Sequence, residues 1–256
     1  MKAFEDAFRM HLPPRMPLII RVDGCRFHTY TKGLKRPVDD NLVEVMNLTA
    51  TKLCEEVQGC QLAYIQSDEI SLLLNNFKTF DTQSWFQNNL QKMASVAASI
   101  AGATFTLNSW RIWHGNTGPV LSFADFRPAY FDARVFVLPK EEASNYFLWR
   151  QQDATRNSIQ SLARSLYSHR ECNDKNNSEL QEMIFKKGIN WNDCPTSQKR
   201  GRCVLKQQVE VKAKNPITQE DCVAMRSALV VDNEIPIFSQ DREYIDKHLA
   251  VSIEED

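Results

Sequence analysis

Two apolar segments that each run into an aspartate constrain the fold of this chain more than any other feature. Residues 18–22 lead directly into Asp23-Gly24, and residues 64–74 are interrupted by Ser67-Asp68-Glu69. An Asp-Gly pair after an apolar run indicates a strand end, and polar residues between two apolar runs indicate a hairpin tip. Taken singly, each feature is usually an ordinary turn. Their importance depends on whether the fold brings the two acids together.

The intervening pattern predicts the element order β-α-β-β-α-β. Apolar residues recur at helical spacing from Asp40 to about Val57, with Asp39 or Asp40 as N-cap. A second, alanine-rich helix is marked from Phe86 and ends near Gly102, and a strand follows at 133–138. This order is typical of a ferredoxin-like α+β fold with an antiparallel sheet, in which strands one and three are central neighbours and both helices cover one face. The acidic strand ends then meet, whereas another strand order would separate them.

The C-terminal part is predicted to be an extension packed on this core. A helix is expected from Glu141 to about Arg170, followed by polar loops and short strands. We divide the chain into a palm-like core, 1–140, and an extension, 141–256, although no clear linker separates them and one domain is possible. The helix carries a stripe expected in the core or in a subunit interface: Leu148, Gln152, Thr155, Ile159, Leu162 and Leu166.

Charge and cysteine usage narrow the class of protein. Lys plus Arg (31) nearly balance Asp plus Glu (32), so general adhesion to polyanions is excluded and nucleic acid would need local basic patches. The seven cysteines include no CxxC pair, which indicates reduced thiols rather than a disulfide framework or structural zinc site. Without a signal-peptide pattern or a bilayer-length apolar run, we expect a cytoplasmic protein with no membrane partner.

Neighbouring carboxylates repel each other, and such a pair persists most easily around a divalent cation. Asp23, the Gly24 carbonyl and Asp68 would provide oxygen ligands for magnesium, with Glu69 as a nearby acid. Two such ions are the usual apparatus for displacement at phosphorus, in which both the attacking and the leaving oxygen are stabilised. Palms of polymerases and of nucleotidyl cyclases are both built this way, and the spacing does not separate them.

Basic and polar residues surround the same segments and could balance the charge of a nucleoside triphosphate. Five lysines and arginines occur within residues 21–36, a high density for a chain of near-zero net charge. The candidates for this role are Arg21, Arg26, His28, Lys32, Lys35 and Arg36, together with Ser67 and Lys92.

Five ordered segments carry a resemblance to a known family: IIRVDGCRFHTYTKGLKRPVDDNLVEVM, YIQSDEISLLL, WFQNNLQKMASVAAS, FDARVFVLP and YFLWRQQDATRNSIQ. From about Pro17 to Arg202 the chain resembles tRNA-histidine guanylyltransferase. It is more similar to the bacterial and archaeal relatives, the guanylyltransferase-like 3′-to-5′ polymerases.

The resemblance implies an enzyme that adds nucleotides to the 5′ end of truncated tRNA, directed by the opposite strand. ATP or GTP would activate the 5′ end, two Mg²⁺ ions would serve both steps, and the family assembles as homotetramers. Three alternatives stay open: addition of a single −1 guanosine, a cyclase acting on free nucleotide, and a tRNA-binding protein without catalysis. Retention of Asp23 and Asp68 argues against the last of these.

The resemblance also implies roles for individual residues. Asp23, Gly24 and Asp68 match metal ligands, and Asp23, Asp68 and Glu69 are the catalytic candidates. The nucleotide contacts implied are Arg21, Cys25, Arg26, Phe27, His28, Arg36, Ser67 and Lys92. Candidate RNA contacts are Arg150, Arg156, Arg164 and Arg170 on the long helix, with Lys186 and Lys187, and then Lys199 and Arg200 in the later Lys-Arg-Gly segment.

Two departures from the family pattern bear on function. Eukaryotic members carry His-Ile-Asn-Asn where this chain has Thr155-Arg156-Asn157-Ser158, which favours the tRNA-repairing relatives over selective recognition of histidine tRNA. The usual Asp-Gly-Arg turn reads Asp-Gly-Cys here, so Cys25 replaces an arginine for which Arg26 could compensate.

Overall fold

The computed structural model describes residues 1–114, 127–214 and 221–251, which build one antiparallel sheet covered by helices on both faces. The six strands stand in the order β4-β1-β3-β2-β5-β6. Their bounds are β1 Leu18–Gly24, β2 Cys60–Gln66, β3 Glu69–Leu74, β4 Phe131–Val137, β5 Arg202–Lys214 and β6 Asp221–Asp232. The first four strands have the expected ferredoxin-like arrangement with β1 and β3 adjacent, so the predicted fold class is confirmed.

The helices follow the expected order but not all the expected bounds. They are α1 Lys2–Asp6, α2 Phe27–Tyr30, α3 Asp40–Glu56, α4 Leu90–His114, α5 Ala143–Leu166, α6 His169–Cys172, α7 Asn177–Lys186, α8 Thr196–Arg200 and α9 Glu243–Asp246. Short 3-10 turns cover Trp85–Asn88, Lys140–Glu142, Trp191–Asp193 and Lys247–Leu249. Asp39 caps α3 as predicted, accepting a 3.0 Å hydrogen bond from the Leu42 amide.

The predicted end of α4 near Gly102 is wrong, because the helix continues to His114. Gly102 serves packing instead: a Cβ there would lie 3.1 Å from the carbonyl oxygen of Ala129. The predicted start is also early, since Phe86 lies in a 3-10 turn with φ of 49°. Asn89 begins the helix, and its side chain accepts a 3.0 Å bond from the Lys92 amide.

Each face of the sheet has its own core. Helices α3 and α4 cover the face that carries Leu18, Ile20 and Val22, which confirms the prediction that both helices share one side. Helix α5 and the C-terminal segment cover the other face, where Ile19 packs with Phe147.

The predicted stripe on α5 describes only its second half correctly. Ile159 and Leu162 are buried, but the first half buries Phe147 and its neighbours, while Gln152 is exposed. The helix also ends at Leu166 rather than near Arg170, since Ser168 caps a new short helix.

The C-terminal part is more regular than predicted. Strands β5 and β6 are 13 and 12 residues long, not short, and β5 extends the sheet by pairing with β2. Residues expected in a polar loop form α7, which Asn176 and Glu179 start with a reciprocal capping box. The division of the chain into a core and an extension at residue 140 stays a prediction.

Within the described ranges no helix has the length and hydrophobicity needed to cross a bilayer.

His248 makes stability depend on pH. Burial, and then the charge of Lys247, lower its pKa from 6.5 to about 4. Its Nε2 atom is buried without a hydrogen-bond partner among the described residues, and its carbonyl accepts a 3.2 Å bond from Asn75. The unfolded chain therefore takes up a proton more readily than the folded one. We therefore expect the contribution of His248 to stability to be complete above pH 6.5 and to fall as the pH drops towards 4, by about 2 kcal/mol after allowing for solvent screening.

Urea unfolding of the wild type and of His248→Gln at pH 7 and at pH 4.5 would measure this dependence. We expect the free energy of unfolding to fall less in the variant, because glutamine does not titrate. An equal fall in both proteins would contradict the role of His248.

Candidate active site

The pairing register of the sheet gathers charged side chains at one end of the face covered by α5. Residues directly opposite each other on antiparallel strands project to the same face. One row, which we name the acidic row, holds Asp132, Asp23, Glu69 and Gln66 on β4, β1, β3 and β2. The next row holds Arg134, Arg21, Ser71 and Tyr64, and the third holds the apolar Phe136, Ile19, Leu73 and Leu62. The face thus changes from apolar to acidic towards the strand ends.

The end of β1 is joined to the turn between β2 and β3. The amide of Gly24 donates a 3.2 Å hydrogen bond to the carbonyl of Asp68. A side chain at Gly24 would be blocked, because its Cβ would come within 2.3 Å of the Phe27 ring. Asp23, Gly24 and Asp68 are therefore brought together as the strand order predicts.

The carboxyl groups of Asp23 and Asp68 are poorly compensated within the chain. Burial raises the pKa of Asp23, and Asp132 opposite it raises the pKa further, against a partial offset by Arg21 and Arg134. Burial likewise raises the pKa of Asp68, and the charge of Asp23 adds to this. Like charges directly opposite each other in a sheet are destabilising. A bound cation would remove that repulsion.

The donor set fits magnesium only in part. Among the described residues, no group of three or more histidine, cysteine and acidic side chains is arranged to hold a metal ion. Asp23, Asp68 and the Gly24 carbonyl offer hard oxygen ligands, which suit magnesium better than softer metals. Magnesium commonly binds one or two carboxylates and completes its shell with water and substrate phosphates. The arrangement therefore fits an ion that arrives with a phosphate substrate.

Glu69 has other partners. Its carboxylate is 7% exposed and accepts two hydrogen bonds from Arg150 of α5, Nε to Oε1 at 2.8 Å and Nη2 to Oε2 at 2.7 Å. Gln66 adds a bond of 3.2 Å, and Arg150 also donates to Asp153 at 3.0 Å. Arg150 is therefore not the exposed cation that its predicted role as an RNA contact requires. Its guanidinium is 6% exposed and anchors α5 to the acidic row.

The predicted nucleotide contacts divide between the two faces of the sheet. Arg21 lies in the row behind Asp23, and its Nε atom is buried without a hydrogen-bond partner among the described residues. Phe27 is 3% exposed and packs on Phe105 and Phe131, so its ring belongs to the core rather than to a surface open to nucleotide. The other side chains are exposed: Cys25, Arg26, His28, Arg36, Ser67 and Lys92.

Cys25 lies at the turn after Gly24, where its thiol is 3.9 Å from the carboxylate of Asp132. Slight burial and the charge of Asp132 raise the pKa of this thiol, so it remains protonated at neutral pH.

The RNA candidates on and after α5 have different surroundings. Arg156 is exposed and pairs with Asp153. Lys199 is half-buried over the ring of Trp191, with its Nζ 5.8 Å from the ring centroid. Arg200 is also half-buried, and its carbonyl accepts a 2.7 Å bond from Tyr64. The exposed guanidinium of Arg156 is thus the most accessible of this group.

Sequence reasoning missed Asp132 and Arg134. The predicted strand began at residue 133, one residue after Asp132, so neither charge was placed beside Asp23. The signal was available in the alternation of Asp132, Arg134 and Phe136 on one face of β4, but it needs the register with β1 to become visible.

Comparisons with known proteins show the family of the chain. The sequence model of the tRNAHis guanylyltransferase family matches residues 1–139. The chain belongs to this family. A tRNA(His) guanylyltransferase of Debaryomyces hansenii is 30% identical over 77% of this chain and 76% of its own length. A probable tRNA(His) guanylyltransferase of Drosophila melanogaster is 28% identical over 77% and 69%. As a member of the tRNA(His) guanylyltransferase family, the chain is a nucleotidyltransferase of tRNA processing.

A solved bacterial structure covers nearly the whole chain. A bacterial tRNA(His) guanylyltransferase-like protein in complex with ATP superimposes with a TM-score of 0.84, at 42% identity over 98% of both chains. A structure of such a bacterial protein in complex with GTP gives 0.79 and 41% identity over 97% of this chain and 96% of that one. The tRNA(His) guanylyltransferase of Saccharomyces cerevisiae shares the fold, with a TM-score of 0.66 at 21% identity over 88% and 96%.

Proposed function

We propose that this protein adds nucleotides in the 3′-to-5′ direction to the 5′ end of truncated tRNA, with each base chosen by the opposite strand. The observation that carries this proposal is the structure of residues 155–158 in α5. Eukaryotic members of the family carry His-Ile-Asn-Asn there, and this chain retains only Asn157. The similarity to bacterial guanylyltransferase-like proteins over almost the whole chain supports the same conclusion.

The side chains of this segment are engaged within the protein. Ser158 donates a 3.2 Å bond to the Lys199 carbonyl and accepts a 3.1 Å bond from the Trp191 indole. Asn157 donates to Asp153 at 3.4 Å. The two bonds of Ser158 join α5 to the segment before β5, while Asn157 and Arg156 are exposed and share Asp153 as their partner. A guanidinium binds phosphate in any sequence, so the segment suits many tRNAs better than one.

We assign both chemical steps to Asp23 of the acidic row, together with Gly24 beside it and Asp68 in the adjoining turn. In the first step a 5′-monophosphate end would attack the α-phosphorus of ATP or GTP, which forms a 5′–5′ phosphoanhydride and releases pyrophosphate. In the second, the 3′-hydroxyl of an incoming nucleotide would attack the 5′-phosphorus of the RNA and release AMP or GMP, or pyrophosphate from a 5′-triphosphate end. Asp23, Asp68 and the Gly24 carbonyl would hold two Mg²⁺ ions together with the substrate phosphates. When bound, magnesium supplies Lewis-acid stabilisation of the attacking and leaving oxygens.

The remaining charged groups would orient the substrates. Arg21 and Arg134 lie in the row behind the acids and would balance triphosphate charge that the metal leaves. Glu69 and Arg150 would act indirectly, by fixing α5 against the strand that follows Asp68. Ser67, Arg26, His28, Arg36 and Lys92 remain proposed nucleotide contacts, and Arg156, Lys199 and Arg200 remain proposed RNA contacts.

We further propose a homotetramer in the cytoplasm. The first ten residues expose Phe4, Phe8 and Met10 by 74%, 74% and 62%, which is costly for a monomer and supports burial between subunits. The proposed cytoplasmic location rests on the cysteines of the sequence, whose spacing indicates reduced thiols.

The test uses 5′-monophosphorylated tRNAs that lack their first nucleotide, with magnesium, ATP and all four nucleoside triphosphates. The opposite base is varied through all four identities, and 5′ extension is measured. We expect the added base to follow its partner. Addition of one guanosine to full-length histidine tRNA, with none to the truncated substrates, would overturn the proposal in favour of the single −1 guanosine activity.

A further inference from the structure

An exposed tryptophan lies beside the acidic row. Trp149 is 51% exposed, although indole rings are usually well covered in folded proteins. The guanidinium carbon of its neighbour Arg150 lies 4.5 Å from the centroid of the indole ring. Arg150 in turn is bonded to Glu69, the cross-strand neighbour of Asp23. The ring is therefore held next to the strand ends that carry the acids.

The ring of Trp149 is fixed by groups that cannot easily move. Arg150 is buried and bonded to two carboxylates, so it is a rigid support for one face of the ring. Tyr146, one turn earlier, packs edge-on at 6.0 Å and is itself bonded to Ser71 at 2.8 Å. An exposed ring whose orientation is fixed in advance loses little conformational entropy when a planar ligand stacks on it.

Two arginines of the sheet lie on the same side as Trp149. Tyr146 contacts Phe136 of β4, so Tyr146 and Trp149, which share one side of α5, face the β4 half of the sheet. Arg134 of β4 is exposed, and its only ion pair among the described residues is a long one, with the carboxylate of Asp132 at 3.9 Å. Arg21 beside it has a buried Nε atom without a partner among the described residues. Guanidinium groups bind phosphate, and an aromatic ring stacks with a base.

We infer that Trp149 is the platform on which a nucleobase stacks during nucleotide addition. This inference rests on the proposed function and extends it. Every base has a π-face, so stacking accepts all four with little preference. A platform of this kind suits an enzyme that leaves the choice of base to the opposite strand. The base belongs either to the 5′ end of the RNA or to the incoming nucleoside triphosphate, and binding measurements separate these two sources.

The experiment compares Trp149→Leu and Trp149→Tyr with a matched control, Phe80→Leu. Phe80 is also an exposed aromatic under a guanidinium, with Arg15 5.9 Å from its ring centroid, but it follows the opposite end of β3. The dissociation constant of truncated tRNA without nucleotide, and the dissociation constant of each nucleoside triphosphate, are measured for each protein. Trp149→Leu should weaken one of them about 5- to 150-fold. Trp149→Tyr should restore most of the affinity, and Phe80→Leu should change neither.

Weaker binding of tRNA alone would assign the platform to an RNA base, and equally weaker binding of all four triphosphates would assign it to the incoming nucleotide. Unchanged constants for both ligands would overturn the inference. So would a change in the mass of the assembly by light scattering, because it would place Trp149 between subunits. A wild-type protein that binds triphosphates but no tRNA would count against the proposed function, and the triphosphate measurement would still test the platform.

Discussion

Replacing Asp68 with asparagine should lower the rate of nucleotide addition by about 10³-fold or more, while leaving the folded protein as stable as the wild type or more stable. The rate falls because asparagine removes a charged oxygen ligand from the proposed magnesium site. Stability rises because the folded state raises the pKa of Asp68, chiefly by burial and then by the charge of Asp23. Asparagine removes a charge that burial disfavours, so the substitution does not lower the stability of the folded state. Thermal unfolding and steady-state turnover of the same preparation measure both effects.

The sign of the stability change gives a control within the experiment. A raised pKa means that the folded state holds the proton more tightly, so the wild type loses stability as the pH rises above 3.8 through the folded pKa. The gain from Asp68→Asn should therefore be full at neutral pH and vanish in strong acid. Magnesium should raise the melting temperature of the wild type more than that of the variant.

A matched substitution, Asp81→Asn, removes an exposed aspartate beyond the far end of β3 and should change neither property. A variant of Asp68 with near-wild-type turnover would exclude this residue as a metal ligand.

The ferredoxin-like core was predictable because local pattern and topology agree there. The runs around Asp23 and Asp68 gave strand ends, and the β-α-β-β-α-β order placed those ends side by side. The end of α4 was not predictable in the same way. Gly102 is a good helix breaker by propensity, but the close approach of the Ala129 carbonyl, a contact 27 positions away, decides its role.

The acids of the site were predictable, and their partners were not. Asp23 and Asp68 could be found because they interrupt apolar runs. Glu69 looked the same in the sequence, yet it is paired with Arg150, a residue 81 positions away. Arg150 looked like one more surface cation because helical spacing alone does not say which side of α5 faces the sheet. Strand register and the packing of α5, rather than composition, distinguish Glu69, which has an arginine partner, from Asp23 and Asp68.

Replacing Arg150 with methionine should destabilise the protein by about 3–5 kcal/mol, the second large effect that we expect. Methionine fills much of the same volume but leaves the Glu69 carboxylate buried at 7% exposure without its bidentate partner. Glu69→Gln should be less harmful in the Arg150→Met background than in the wild type, because the neutral amide has no charge left to compensate. Urea unfolding of the wild type, both single variants and the double variant measures this coupling.

The matched control is Arg156→Met on the same helix. Arg156 also pairs with an acid, Asp153, but its side chain is 57% exposed, so its loss should cost no more than about 1 kcal/mol. The two substitutions remove the same charge, but Arg150 is buried and binds two carboxylates, whereas Arg156 is exposed and pairs with one. If Arg150→Met instead weakened tRNA binding and left the free energy of unfolding unchanged, the arginine would be an RNA contact, and its pairing with Glu69 would not anchor α5. A buried ion pair between β3 and α5 requires the reverse. Arg150→Met then lowers the free energy of unfolding, and the protein that remains folded binds tRNA with unchanged affinity.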